Sequence, residues 1–186
     1  MKRWLALMLL LAALPASAAE VAGVKLEDRI KLGANELLLN GAGIRTRVFF
    51  KVYVGALYLS EKKSAAAEAL AQKGAKRVAL TMLRELSAQQ LNEAFESGIH
   101  ANNSAAEIEA MKPRIAELLS LLTDAKQGDV ILLDFQPETG TTVSLNGQAR
   151  GKAIPGEDFY RAVLRIWLGD KPVDTDLKKG MLGQAQ

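Results

Sequence analysis

Cysteine is absent from this chain of 186 residues, and histidine occurs once, at His100. Without cysteine there is no disulfide framework, no thiolate zinc site, no iron–sulfur cluster and no thiol nucleophile. A single histidine excludes metal sites built from several imidazoles, and only His100 could serve a serine–histidine catalytic triad. Glycine-rich nucleotide loops and the nucleophile elbow of hydrolases are missing as well. We therefore expect neither a metal nor a cofactor.

The first 19 residues have the pattern of a secretory signal peptide. Lys2 and Arg3 precede an apolar run from Trp4 to Leu14, and small residues follow up to Ala19. Cleavage is predicted after Ala18 or Ala19, so residues 1–19 form the signal and 20–186 a single domain. The apolar run is shorter than the roughly 20 residues that span a bilayer, which disfavours an uncleaved anchor. The pattern predicts a periplasmic or secreted protein without a membrane span after cleavage.

The net charge of the chain is small once the predicted signal is set aside. The chain carries 24 basic and 21 acidic residues, and loss of Lys2 and Arg3 lowers the formal net charge from +3 to +1. The remaining basic residues are scattered rather than gathered in a stripe. A nucleic-acid-binding surface is therefore not expected. The composition leaves the oligomeric state open.

Several segments have the character of β-strands. A segment at 24–32, interrupted by charges, predicts an edge strand or hairpin arm. Asn40-Gly41 follows an apolar run and predicts a tight turn. The β-branched and aromatic stretch 44–59 is long for one strand, so it either bends or forms a hairpin, and Gly55 is a candidate bulge. Strand 129–135 and a hairpin around Asn146-Gly147 complete the predicted sheet.

Helices are predicted in separate blocks. Segment 64–73 is alanine-rich, and Ser87 and Ser104 each begin a capping box. A further helix covers 156–168, and Asp174 can cap a last short one. Hairpin strands with grouped helices indicate an α+β fold with a mainly antiparallel sheet. His100, four residues after Glu96 near a helix end, is interpreted as a structural residue interacting with the helix dipole.

An unusual concentration of basic and aromatic residues occurs between Leu39 and Leu59. Alternation predicts that Arg45, Arg47, Lys51 and Tyr53 share one face of a strand. The opposite parity is apolar, with members Val48, Phe50, Val52, Val54 and Tyr58. Basic groups and a phenol would then line one face of the sheet, either as a binding surface or as solvated cations.

This stretch resembles the chalcone isomerase-like family, and more closely its bacterial exported branch. The resemblance rests on Asn-Gly-Ala-Gly-Ile-Arg at 40–45 and Phe-Phe-Lys-Val-Tyr-Val-Gly-Ala-Leu-Tyr-Leu at 49–59. Later matches are Leu-Arg-Glu-Leu-Ser at 83–87, Phe-Tyr-Arg-Ala-Val-Leu at 159–164 and Ile-Trp-Leu-Gly-Asp-Lys-Pro-Val at 166–173. The resemblance implies an open-faced β-sandwich, in which a large antiparallel sheet is covered by a helical layer with a cleft between them.

The resemblance also implies which residues line that cleft. The arginine that assists the nucleophile in the family's enzymes, and that holds the carboxylate in its fatty-acid binders, matches Arg45. The other catalytic positions of the enzymes are not retained. Tyr53 stands at the place of a threonine, and apolar or small residues replace the remaining polar groups: Leu91, Ala94, Gly98 and Ile166. These six positions are the predicted ligand-binding residues.

Three functions are compatible with this pattern. An apolar cleft with one arginine suits a fatty acid or similar apolar carboxylate, which predicts a non-catalytic binding protein. An isomerase or intramolecular lyase acting on an unknown substrate would have to use Arg45 and Tyr53, with Lys51 as a further candidate. An interaction module of the cell envelope is the third possibility, and the sequence alone offers no motif that identifies its partner.

Overall fold

The computed structural model describes residues 18–184, so nearly all of the predicted signal peptide lies outside the described residues. Ala18 and Ala19, which precede the two predicted cleavage points, belong to the first described strand. The described strands are β1 Ala18–Val21, β2 Val24–Glu27, β3 Arg29–Leu32, β4 Asn35–Arg47, β5 Phe50–Leu59, β6 Lys76–Met82, β7 Val130–Gln136, β8 Gly140–Leu145 and β9 Gln148–Ile154. The described helices are α1 Ala66–Ala71, α2 Ala88–Asn102, α3 Ala105–Leu121, α4 Glu157–Leu168 and α5 Thr175–Met181.

Strands β3 to β9 form one seven-stranded antiparallel sheet in which spatial neighbours are also sequence neighbours. Strands β1 and β2 form a separate hairpin. One face of the sheet packs against the helices in a core that includes Phe95, Tyr160 and Trp167. The other face forms a second cluster with the β1–β2 hairpin, through Leu26. The predicted α+β fold, an antiparallel sheet with a helical layer, is confirmed.

Local signals in the sequence are reproduced closely. Ser87 and Ser104 both form complete capping boxes, in which the serine hydroxyl accepts from a backbone N–H and the third residue's side chain accepts in return. Asp174 accepts hydrogen bonds at the start of α5. Helix α3 continues through Pro113, and β8 and β9 meet at Asn146-Gly147. The charged segment 24–32 divides into a hairpin arm, β2, and an edge strand, β3.

Asn40-Gly41 is a bulge, and the predicted tight turn at this place is wrong. Strand β4 runs straight through it, while the pairing with β5 steps from Leu39 to Gly41. Asn40 is the extra residue. Its buried side chain donates to the Met181 carbonyl at 2.7 Å and accepts from the Lys63 backbone at 2.6 Å. These partners satisfy the amide in place of a turn.

The bulge decides which side of the sheet the rest of β4 presents. Side chains alternate along a strand, and one additional residue exchanges the two faces beyond it. Leu37 and Leu39 therefore lie in the second cluster. Gly43 instead faces α5 on the helical side, where a Cβ added to it would lie 3.2 Å from the Cα of Leu177. The same exchange brings Arg45 to the helical side.

Gly55 is not a bulge, because its pairing with Gly43 and Leu80 continues without a register shift. It instead leaves space for Leu177 of α5, whose Cδ1 would lie 3.1 Å from an added Cβ. The sheet is flat beneath α5 because three of its residues there are glycines, Gly41, Gly43 and Gly55. The glycines that sequence reasoning assigned to turns and bulges thus serve close helix–sheet packing.

Candidate functional site

The stretch 44–59 forms a hairpin, which was one of its two predicted forms. Strands β4 and β5 are joined by Val48-Phe49, and Arg45 pairs directly with Tyr53. The next pair is Thr46 with Lys51, so Val52 is an extra residue on β5. Cross-strand partners lie on the same face of a sheet, which places the Arg45 and Tyr53 side chains together below the helices.

The Val52 bulge corrects the predicted division of the two faces. Val48, Phe50 and Val52 were expected on the face opposite Arg45, but all three line the same cleft as Arg45 and Arg47. Val54 and Tyr58, beyond the bulge, do pack on the opposite side. Lys51 is not among the residues that line the spaces around Arg45. The predicted basic face is therefore reduced to Arg45 and Arg47, with the phenol of Tyr53.

Arg45 is the central cation of this region. Its guanidinium carbon lies 5.7 Å from the centre of the Tyr53 ring, which is within the range of a cation–π contact. Its Nε is fully buried and has no hydrogen-bond partner among the described residues. A buried donor without an acceptor is costly, and a bound anion would supply the missing acceptor.

Tyr53 is 4% exposed, and its hydroxyl accepts a hydrogen bond from Nε1 of Trp167 at 3.0 Å. Burial raises the pKa of this phenol, while the positive charge of Arg45 and the bond from Trp167 oppose the rise without cancelling it. The phenol is therefore protonated at neutral pH. Among residues 18–184 its hydrogen is not donated to any acceptor, so Tyr53 has one donor to offer a ligand.

Alkaline pH is expected to unfold this protein cooperatively, because Tyr53, Tyr58 and Tyr160 are all buried. Burial raises the pKa of Tyr58 to about 12 and raises the pKa values of the other two phenols. Their contribution to stability is complete below the unfolded pKa of about 10 and is lost as pH rises toward 12. Tyrosinate absorbance and circular dichroism should change together. Tyrosinate appearing in a protein with native dichroism would contradict this.

The structure brings the six predicted site residues together. Arg45, Tyr53, Leu91, Ala94 and Ile166 line one inner cavity between the sheet, α2 and α4. Gly98 lies beside it and lines the adjoining groove with Arg45 and Ala94. The inner cavity measures only about 10 Å³. An added Cβ on Gly98 would lie 2.8 Å from Ile166, so Ile166 takes most of the room that the glycine leaves.

Two larger spaces open outward from Arg45. A cleft of about 220 Å³ lies between the β4–β5 hairpin and the start of α2, with Val52 and Leu86 among its apolar walls. A groove of about 520 Å³ continues along α2 toward Pro172 and Val173. Both spaces are lined by Arg45, Arg47, Gln90 and Ala94. Arg45 thus stands where the inner cavity, the cleft and the groove meet.

Several lining residues were not anticipated from the sequence. Trp167 belongs to the core, and its indole also orients Tyr53 through a hydrogen bond. Arg84 lines the outer cleft, and its position in the Leu-Arg-Glu-Leu-Ser motif was the available signal. His100 is exposed in the last turn of α2 and is not among the lining residues of these cavities. Within residues 18–184 no group of acidic and histidine side chains is arranged to hold a metal ion.

Comparisons with known proteins agree with this geometry. A family model described as Chalcone isomerase-like matches residues 18–183, and a search of curated proteins finds no match. The crystal structure of a fatty-acid binding protein from Arabidopsis thaliana is similar, with a TM-score of 0.66 over 89% of this chain and 96% of that chain. The two are 14% identical, so this likeness shows the fold. Since the family model covers nearly the whole described chain, the protein belongs to the chalcone isomerase-like family.

Proposed function

We propose that this protein is a non-catalytic binding protein that holds a fatty acid or a similar apolar carboxylate at Arg45. The observation that carries the proposal is the buried Nε of Arg45, which lacks a partner at the junction of three cavities. A carboxylate can accept two parallel hydrogen bonds from a guanidinium. The unused hydrogen of the Tyr53 hydroxyl offers a third donor.

The charges around the cleft favour an anion. Arg47 and Arg84 line the outer cleft with Arg45, and Lys171 lines the groove. Glu93 is the acidic side chain that lines the groove. A cleft lined mainly by one sign of charge raises the local concentration of the opposite ion.

The apolar part of the ligand has room in the outer cleft, against Val52, Leu86 and Ala94. Its volume of about 220 Å³ is below the roughly 300–1,000 Å³ of typical small-molecule sites. Each buried methylene contributes about 0.8 kcal/mol before the costs of binding. We therefore expect medium-length chains to fit the structure as it stands, and longer chains to extend into the open groove.

The groups in the inner cavity support binding rather than catalysis. Leu91, Ala94 and Ile166 offer no group that transfers a proton, and Gly98 offers no side chain. Tyr53 remains protonated at neutral pH, which suits a hydrogen-bond donor and not a general base. The similar Arabidopsis structure, a fatty-acid binding protein of the same fold, is consistent with such a role.

The location of the protein is part of the proposal. The signal pattern at 1–19 supports export to the periplasm or beyond, and the sequence motifs support membership of the bacterial exported branch of the family. Within residues 18–184, no helix has the length and apolar character needed to cross a bilayer. In the periplasm such a protein would carry or sequester free acids.

The proposal is tested by titrating the delipidated, refolded protein with octanoate, laurate and palmitate. Arg45→Gln removes the charge while keeping a polar side chain, and it is expected to weaken acid binding about 10- to 100-fold, the value of a charge-assisted hydrogen bond. Arg29→Gln, remote on β3 and exposed, makes the same change in net charge and should bind like the wild type.

A long-chain alcohol of matched length separates the contribution of the carboxylate head to the affinity from that of the apolar tail. It should bind weakly and equally to the wild type and to Arg45→Gln, because it carries no charge for Arg45. Equal affinity of both proteins for laurate, or no binding of any acid, would overturn the proposed function.

A further inference from the structure

The tip of the β4–β5 hairpin exposes three large apolar side chains in succession. Val48, Phe49 and Phe50 are 76%, 90% and 61% exposed, and they are the exposed large hydrophobic residues found among residues 18–184. Scattered single residues of this kind are normal on protein surfaces, whereas a contiguous cluster marks an interaction site. The chain has only five phenylalanines, and two of them lie at this tip.

The turn itself is unfavourable for the residues that form it. Val48 has a φ of +58°, a left-handed conformation that a β-branched residue rarely adopts. The β8–β9 hairpin of the same molecule uses Asn146-Gly147 at its turn, the usual choice for positive φ. Folding alone would favour similar residues at the first hairpin. The apolar residues there are better explained by contact with something outside the chain.

Cations surround this apolar tip. Arg47 and Lys51 flank it in sequence, and the Arg84 guanidinium lies 4.9 Å from the centre of the Phe50 ring. Among residues 18–184 these three side chains form no ion pair. The nearest acid in sequence is Glu85, next to Arg84. The rim of the tip therefore carries a net positive charge.

We propose that the tip, defined as Val48, Phe49 and Phe50 with the rim of Arg47, Lys51 and Arg84, docks on an anionic lipid surface. Aromatic side chains prefer the interfacial zone of a bilayer, and arginine and lysine bind its phosphates while their stems cover apolar surface. A second copy of the chain is a poorer occupant, because a symmetric pair would bring two positive rims together. The proposal goes beyond ligand binding in the cleft and does not depend on it.

Docking at this tip would also orient the molecule. Val48 and Phe50 line the outer cleft as well as the tip. Contact with a bilayer at the tip therefore places the mouth of the cleft, and Arg45 behind it, against the lipid. An apolar carboxylate could then pass between bilayer and cleft without crossing bulk water.

Vesicle co-sedimentation tests the proposal, with protein produced from the full-length sequence and vesicles free of added fatty acid. Vesicles of phosphatidylcholine with phosphatidylglycerol should bind the protein, and phosphatidylcholine alone should bind it at least about 10-fold more weakly. Arg47→Gln with Lys51→Gln should weaken binding about 30-fold, at about 1 kcal/mol per cation. The matched control, Arg29→Gln with Lys31→Gln on the β3 edge, removes the same charge and should bind normally.

Insertion of the apolar residues has its own readout. Val48→Ser with Phe49→Ser should weaken vesicle binding at least about 10-fold without lowering the thermal midpoint, since both side chains are exposed and serine tolerates the positive φ of position 48 better than valine does. A Phe49→Trp variant should show a blue shift of its fluorescence on addition of anionic vesicles, and this shift should be absent from the parent protein, whose tryptophans are Trp4 and the buried Trp167. No vesicle binding, equal binding by the tip and control variants, or a tip-dependent dimer at the same concentrations would overturn the proposal.

Discussion

Replacement of Gly41 with alanine is expected to lower the free energy of unfolding by about 3 kcal/mol, near the upper end for overpacking. An added Cβ would overlap the Gly180 carbonyl oxygen and would lie 2.6 Å from the backbone nitrogen of Gly183. Both neighbours are backbone atoms, which cannot rotate away as a side chain can. For a domain of this size the loss corresponds to a fall of roughly 6 to 12 °C in the thermal midpoint.

Two other glycines calibrate this result. Gly43→Ala places a Cβ 3.2 Å from the Leu177 Cα, a contact that a small shift of α5 relieves, so its cost should be clearly smaller. Gly74→Ala meets no atom within 4 Å but has a φ of +90°, so it measures conformational strain alone, about 1 kcal/mol. Urea unfolding of all three variants checks the order. A Gly41→Ala variant no less stable than Gly74→Ala would contradict the close packing of α5 on Gly41.

The Gly41→Ala substitution should also affect ligand binding at the candidate site. Asp174, the cap of α5, accepts a hydrogen bond from the Thr46 backbone at 2.9 Å. Thr46 follows Arg45 directly, so lifting α5 releases the strand that carries the arginine. We expect Gly41→Ala to weaken laurate binding at a temperature where the variant remains folded.

Helix positions could be predicted from the sequence because their signals are local. The capping boxes at Ser87 and Ser104 need only residues within one turn, and both are present. Asn40 shows the opposite case. Its dipeptide is typical of a turn, yet its side chain bonds to residues 23 and 141 positions away. Partners that distant in sequence are not visible in a local pattern, and they override it.

The motifs predicted which residues come together at the candidate site, but they did not predict the shape of its cavity. The resemblance to known motifs identified Arg45, Tyr53 and four wall residues, and the structure brings all six together. The bulge at Val52, which turns Phe50 toward Arg45, leaves no mark in the alternation of residues. The volume of the inner cavity depends on the packing of Ile166 and Trp167, which no spacing rule specifies.

Replacement of Trp167 with alanine is expected to be the most destabilising single truncation at the site, at about 3 to 5 kcal/mol. The indole is 1% exposed and packs edge-to-face on Phe95, with ring centres 5.8 Å apart. Truncation removes this aromatic contact, opens an apolar void and deprives the Tyr53 hydroxyl of its donor. Urea unfolding measures the loss, and a value below about 1 kcal/mol would contradict the packing described for α4.

The hydrogen bond can be separated from the packing by a double-mutant cycle. Trp167→Phe keeps an aromatic ring against Phe95 but removes the Nε1 donor, and Tyr53→Phe removes the acceptor. Each single change should cost about 1 to 3 kcal/mol, and the coupling between them should be about 0.5 to 1.5 kcal/mol, the net value of one hydrogen bond. Trp167→Phe should also weaken laurate binding, because the Tyr53 hydroxyl loses the bond that fixes its orientation toward Arg45. Unchanged laurate affinity in a stably folded Trp167→Phe variant would show that the carboxylate is held by Arg45 without help from Tyr53.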